Sequence, residues 1–148
     1  MKKILGGALM LVAATAQANN TDISDKRPTG DIQAQILDPQ GNWLRLQSIP
    51  NRAYPLELLN VEGKGCAITR FTISQSGMAK DFDIQATDPK RYSRALRQAT
   101  KQLLRDWQWP EQEQEIELTM RLDYCLEEVA SRSEVVEMCL KQSQAECS

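Results

Sequence analysis

Residues 62–124 constrain the fold of this chain more than any other part of the sequence. They contain an alternating apolar run at residues 66–73, a turn at Ser76 and Gly77, a second short run, a long amphipathic segment and a last alternating run. Alternation is typical of a half-buried strand, and apolar residues three and four apart are typical of a helix. The order strand, strand, helix, strand predicts an α+β domain, in which one helix packs on one face of a three-stranded antiparallel sheet.

The amphipathic segment has the signals of a single helix. It follows Thr87-Asp88-Pro89, which combines a capping side chain with a proline suited to the first helical position, and Pro110 ends it. Its apolar positions form one stripe: Tyr92, Leu96, Ala99, Leu103 and Trp107. Its basic residues lie off that stripe: Arg91, Arg94, Arg97, Lys101 and Arg105. A basic face of this kind is usually solvated, and the alternative is a docking surface.

The last run alternates over its whole length. One side carries the apolar residues Ile116, Leu118, Met120, Leu122 and Tyr124. The other side carries Glu117, Thr119, Arg121, Asp123 and Cys125. We expect the apolar side to pack under the helix, and the polar side to be wet or covered by a partner.

Composition excludes several classes of function. The 148 residues have a formal charge of −2, no long basic run and no histidine. A nucleic-acid partner is therefore not expected, and histidine-based acid–base chemistry or metal ligation is excluded. The sequence contains no nucleophile–base pair, phosphate-binding loop or metal-ligand cluster. We accordingly expect a protein that is not an enzyme and that has no cofactor, metal or small-molecule substrate.

Residues 1–18 are typical of an export signal. Lys2 and Lys3 precede an apolar or small run at residues 4–14, and Ala16-Gln17-Ala18 fits the cleavage pattern of small residues. The run is shorter than the about 20 residues that span a hydrocarbon core. We therefore predict a cleavable signal peptide. The alternative is a retained inner-membrane anchor, with the rest of the chain facing the periplasm.

Residues 19–52 form an N-terminal arm before the main domain, which is predicted at residues 53–126. Within the arm three apolar residues alternate with polar ones: Ile32, Ala34 and Ile36. The turn-forming Asp38-Pro39-Gln40-Gly41 follows them. This pattern fits a hairpin, and an irregular arm laid along the domain fits equally well.

Residues 127–148 form a tail, in which a helix is predicted from about residue 133 to residue 143 with Ser131 or Ser133 as its cap. All four cysteines follow the export signal: Cys66, Cys125, Cys139 and Cys147. An even number of cysteines in an oxidising compartment indicates disulfides. Three pairings are possible, and the residues alone do not choose among them.

Seven features occur in an order that resembles one known family. They are Tyr54-Pro55, Glu62-Gly63, a strand with Phe71, a glycine hairpin with its returning strand, a helix ending at Trp107, Trp109-Pro110 and a final strand. This order resembles the C-terminal domain of the TonB energy-transducer family over roughly residues 53–124. The resemblance implies a periplasmic protein-binding domain without chemistry of its own.

The resemblance also implies a binding mode, β-augmentation of the final strand by a peptide of an outer-membrane receptor. The matching positions are the backbone groups of Glu115, Glu117, Thr119, Arg121 and Asp123. By the same pattern Arg52, Tyr54 and Pro55 face the receptor. For Tyr54 and Pro55 the alternative is core packing and a rigid turn before the domain.

Family transducers carry an N-terminal membrane helix with a histidine and a long proline-rich spacer, and this sequence has neither. The expected partner is therefore an outer-membrane TonB-dependent receptor or another envelope protein, with an anchored transducer complex as a further candidate. The alternative is a repurposed module in assembly or an accessory role. In the family topology the first and last strands are antiparallel neighbours, which implies a Cys66–Cys125 disulfide and leaves Cys139 with Cys147.

Overall fold

A computed structural model describes residues 28–50, 53–128 and 130–148. The predicted signal peptide lies outside the described residues. Within them the protein is α+β, as predicted. The strands are β1 (Thr29–Leu37), β2 (Trp43–Arg45), β3 (Gly65–Ile73), β4 (Ala79–Asp88) and β5 (Ile116–Glu127). The helices are α1 (Leu56–Leu59), α2 (Ser93–Asp106) and α3 (Arg132–Gln142), and a 3₁₀ turn at Lys90–Tyr92 precedes α2.

The sheet has five strands in the order β2-β1-β5-β3-β4, and all its pairings are antiparallel. The prediction of three strands is wrong, because the N-terminal arm adds β1 and β2 beside β5. Of the two alternatives for that arm, the structure shows the hairpin, formed by β1 and β2. Its turn is held by the Asp38 carboxylate, which accepts hydrogen bonds from the backbone N–H of Asn42 at 2.7 Å and of Gln40 at 3.0 Å.

The main core lies between one face of the sheet and the helices α1 and α2. The predicted alternation in β5 is confirmed there, since Met120, Leu122 and Tyr124 are fully buried. Helix α2 starts later than expected. β4 continues to Asp88, and the Thr87 hydroxyl bonds to the Ser93 hydroxyl at 2.7 Å instead of capping a helix at Pro89.

Helix α3 packs on the opposite face of the sheet, against β1 and β5. Its bounds agree with the prediction to one residue. Ser131 caps it: the hydroxyl accepts from the backbone N–H of Glu134 at 3.3 Å, and the Ser131 N–H donates to the Glu134 carboxylate at 2.9 Å. The polar face of β5 is therefore covered by the chain's own tail from Arg121 to Cys125.

Two disulfides join α3 and the tail to the sheet. They are Cys66–Cys147 and Cys125–Cys139, so the predicted pairs Cys66–Cys125 and Cys139–Cys147 are wrong. The first and last strands of the predicted domain are antiparallel neighbours as expected, but their register sets Cys66 opposite Asp123 and not opposite Cys125. Both strand cysteines lie on the face that the tail covers, and each bonds to a tail cysteine.

Candidate protein-binding surfaces

Strand β5, the expected peptide-binding edge, is an internal strand. β3 pairs with it from Ile116 to Tyr124 on one side. β1 pairs with it from Met120 to Glu127 on the other side. The prediction that β5 is an outermost strand is therefore wrong. Only residues 116–119 lack a β1 residue opposite them within the described part of the chain.

The five positions predicted to bind a partner are Glu115, just before β5, and four residues of β5, and they differ in exposure. Glu115 and Glu117 are exposed, and they form ion pairs with Lys80 and with Arg70, the latter at 3.8 Å. Thr119 is half-buried. The other two, Arg121 and Asp123, are buried under the tail. The structure does not bring the five side chains together into one accessible surface.

Arg121 and Asp123 form the centre of a buried polar network. Arg121 is 5% exposed and donates two hydrogen bonds to the fully buried Asp123 carboxylate, at 2.9 and 3.1 Å. It also donates to the carbonyls of Gln142, at 2.9 Å, and Ala145. The Gln142 amide donates to the Gly65 carbonyl at 2.9 Å and to Asp123 at 3.2 Å. Burial raises the pKa of Asp123, and the two bonds from Arg121 oppose that rise. This network attaches the tail to the sheet.

Tyr54 and Pro55 have structural roles. The Tyr54 hydroxyl donates to the Gly63 carbonyl at 2.7 Å, and its ring packs edge-on against Tyr124 at 6.3 Å between centroids. Gly30 makes room for this ring, since an added Cβ would lie 2.5 Å from it. The Pro55 carbonyl accepts the first hydrogen bonds of α1. These contacts support the core-packing alternative for both residues. Arg52 lies outside the described residues.

Strand β4 is the long outer strand of the sheet, paired only with β3 in the described part of the chain. Two register shifts interrupt that pairing, one at Gln85 and one opposite Phe71. Helix α2 packs beside β4 on the core face. The guanidinium of Arg105 lies 5.4 Å from the centre of the Phe82 ring on β4. The edge of β4 and the flank of α2 next to it therefore form one continuous surface.

A groove of about 590 Å³ lies between the end of β5 and α3. Its apolar lining is Pro28, Leu126, Ala130 and Met138. Its charged lining is Lys64, Glu62, Glu127, Glu128 and Glu134. Two of these carboxylates are already engaged, Glu127 with Lys64 at 2.9 Å and Glu134 in the α3 cap.

Sequence reasoning missed that β1 would cover β5. The alternating Ile32, Ala34 and Ile36 marked a strand but carried no information about which strand it would pair with.

In the described ranges no group of three or more cysteine and acidic side chains could hold a metal ion. No helix there is long and apolar enough to cross a membrane. Comparison with protein-family models gives no match, and comparison with curated proteins gives none either.

Proposed function

We propose that this chain is an exported, non-catalytic protein-binding module of the cell envelope, of the TonB C-terminal type, which binds its partner through a surface other than the edge of β5. This is the repurposed form of the module that the sequence left as an alternative. The order β5-β3-β4 with α2 on one face agrees with the arrangement that the resemblance implies. Two disulfides agree with an oxidising compartment such as the periplasm.

The observation that carries this choice is the coverage of β5 by β1. Eight residues of β1, from Thr29 to Ile36, lie opposite residues of β5. Ile32 and Ala34 are buried in the main core from this strand. A receptor peptide that paired with β5 along its length would have to displace β1 and expose these side chains. A partner that binds elsewhere meets no such cost.

TonB-dependent transport is the second candidate, and one observation favours it. β3 pairs with β5 from Ile116, whereas β1 pairs only from Met120. The backbone N–H and C=O groups on the β1 side of residues 116–119 are therefore available to the first residues of an incoming strand. In this second function a receptor peptide would begin pairing there and replace β1 residue by residue.

Site-specific photo-crosslinking in the producing cell tests both candidates. A photoreactive residue would replace exposed side chains at Glu117 on β5, Gln85 on β4 and Lys141 on α3. We expect crosslinks from one of the last two positions to an envelope protein that is not a TonB-dependent receptor. A receptor crosslinked through Glu117 would instead establish the transport function. If no position crosslinks to any protein, the chain is not a protein-binding module.

A further inference from the structure

The basic residues of α2 are gathered on one flank of the helix. At 100° per residue, Arg94, Arg97, Lys101 and Arg105 fall within an arc of about 80°. The opposite flank faces α1, because Ala99, Gln102, Leu103 and Asp106 line the groove between the two helices. The basic flank is therefore the one that faces the outer edge of β4. We call these four side chains the basic row.

The basic row runs along β4 over most of the length of that strand. Two contacts fix this alignment: Arg105 lies over Phe82 near the start of β4, and Ser93 bonds to Thr87 near its end. Twelve helical residues separate Ser93 from Arg105, which is about 18 Å. Five strand residues separate Phe82 from Thr87, which is about 17 Å. Because the two lengths agree, helix and strand lie side by side and antiparallel.

In the part of the chain that the structure describes, the four cations of the basic row have no acidic partner. Within the described ranges, none of them forms an ion pair, although acidic residues outnumber basic ones by 20 to 18 in the whole chain. Among the described residues, Arg97 bonds to the Ser93 hydroxyl alone, and the contact of Arg105 is its stacking on Phe82. The acid nearest in sequence, Asp106, accepts from Gln102 on the α1 flank.

The edge of β4 supplies the second half of the surface. An outer strand presents unpaired backbone N–H and C=O groups, which can add an extended peptide. The two bulges and the exposed Lys80 and Asp81 oppose pairing with a second copy of the same flat strand. These features do not prevent a short peptide from pairing with β4 while its charges neutralise the basic row.

We propose that the edge of β4 and the basic row together bind an extended acidic peptide segment of the partner protein. Side chains of an extended peptide alternate, so every second residue would point toward α2. Three such residues span about 14 Å, which fits beside a basic row of about 17 Å. The partner segment therefore carries Asp or Glu at alternate positions. This inference rests on the proposed binding function and assigns the surface and the partner's chemistry.

An NMR titration of the oxidised chain with two blocked peptides tests the proposal. The first peptide is Thr-Glu-Thr-Glu-Thr-Glu-Thr, and the second carries Gln in place of each Glu. We expect the acidic peptide to shift amide signals of β4 and of the basic flank of α2, and to bind at least about tenfold more tightly than the Gln peptide. Equal binding of the two peptides, or shifts confined to other strands, would overturn the proposal.

Two double variants with the same change in net charge separate local from general electrostatics. Arg97→Gln/Lys101→Gln removes two cations of the basic row, and we expect the acidic peptide to bind it about fivefold to tenfold more weakly. Arg132→Gln/Lys141→Gln removes two exposed cations of α3 and should change the affinity less than twofold. If the two variants weaken binding equally, the basic row is not the recognition element.

Two further experiments distinguish a peptide paired with β4 from other ligands of the same surface. Two versions of the acidic peptide, N-methylated either on its Glu or on its Thr residues, carry the methyl groups on opposite edges of the strand, so one of them cannot pair with β4 in either strand direction; unchanged affinity of both would refute strand addition. Sedimentation with phosphatidylglycerol vesicles, without any response to the peptide, would assign the surface to an anionic membrane instead. If the acidic peptide fails while crosslinking from Lys141 still identifies a partner, this inference falls and the proposed function stands.

Discussion

At the residue scale, the most consequential side chains are the buried pair Arg121 and Asp123. They hold the tail on the sheet and are satisfied from three segments of the chain. Arg121→Ala would leave the Asp123 carboxylate buried without its counter-charge. We expect it to lower the free energy of unfolding by about 3–5 kcal/mol. Urea unfolding of the oxidised chain would measure this loss.

Arg70 offers the matched control for that experiment. It pairs with Asp83 at 3.1 Å, but its side chain is about half exposed, and that of Asp83 more so. Arg70→Ala should therefore cost less than about 1 kcal/mol, because exposed ion pairs contribute little. Equal losses in the two variants would contradict a structural role for Arg121.

Two tyrosines, the fully buried Tyr124 and the partly buried Tyr54, make stability depend on alkaline pH. Burial raises the pKa of Tyr54 and of Tyr124 above the ordinary value of 10.0. The folded chain thus keeps phenolic protons that the unfolded chain releases, so the stabilising contribution is complete below pH 10 and is lost as the pH rises further. Each group contributes a slope of up to about 1.4 kcal/mol per pH unit above that point.

The double variant Tyr54→Phe/Tyr124→Phe cannot release these protons. We expect its free energy of unfolding to fall less steeply between about pH 10 and pH 11 than that of the parent chain, even though its value at neutral pH is lower because Thr100 loses its bond to Tyr124. Parallel pH profiles for the two chains would show that the phenols are accessible in the fold.

At the element scale, the disulfides decide how firmly α3 is held. Cys66–Cys147 closes 81 residues and Cys125–Cys139 closes 14. In the chain-entropy account, replacing the first pair by alanine lowers the free energy of unfolding by about 4–5 kcal/mol, and replacing the second by about 3 kcal/mol. Peptide mapping under non-reducing conditions checks the connectivity itself. Recovery of a Cys66–Cys125 peptide would refute it.

The sequence predicted those elements whose signals are local. α3 was located to within one residue because Ser131 and Glu134 form its cap from neighbouring positions. β5 was identified with its buried side because its alternation is continuous. Two long-range features were not predictable in the same way. The choice of β5 as the partner of β1 depends on the whole core, and a register difference of two residues was enough to change the disulfides.

The same difference between local and long-range signals applies to the candidate site. The basic row could be read from the sequence, since its spacing on a helix is fixed. Its position beside a free edge depends on the strand order, which no local pattern contains. The contacts of Tyr54 also depend on long-range features. Tyr54 is aromatic and follows the N-terminal arm, but its environment is set by Gly30 and Tyr124 from distant strands.

At the scale of the whole molecule, helices cover both faces of the sheet, and β4 provides its long unpaired edge within the described residues. α1 and α2 cover one face, and α3 with the disulfide-bonded tail covers the other. Because the N-terminal arm completes the sheet beside β5, a partner finds its free strand at the opposite side. The choice of binding surface therefore depends on the claim that β1 covers the edge of β5.

Amide hydrogen exchange of β5, measured by NMR, tests this claim most directly. An internal strand has every backbone N–H bonded, whereas an outer strand has only every second one bonded. We predict slow exchange at consecutive residues from Met120 to Tyr124, where β1 and β3 both pair with β5, and alternating slow and fast exchange at residues 116–119, where no described β1 residue lies opposite. Alternation that continues through Tyr124 would mean that β1 does not cover β5 in solution, and would contradict the account.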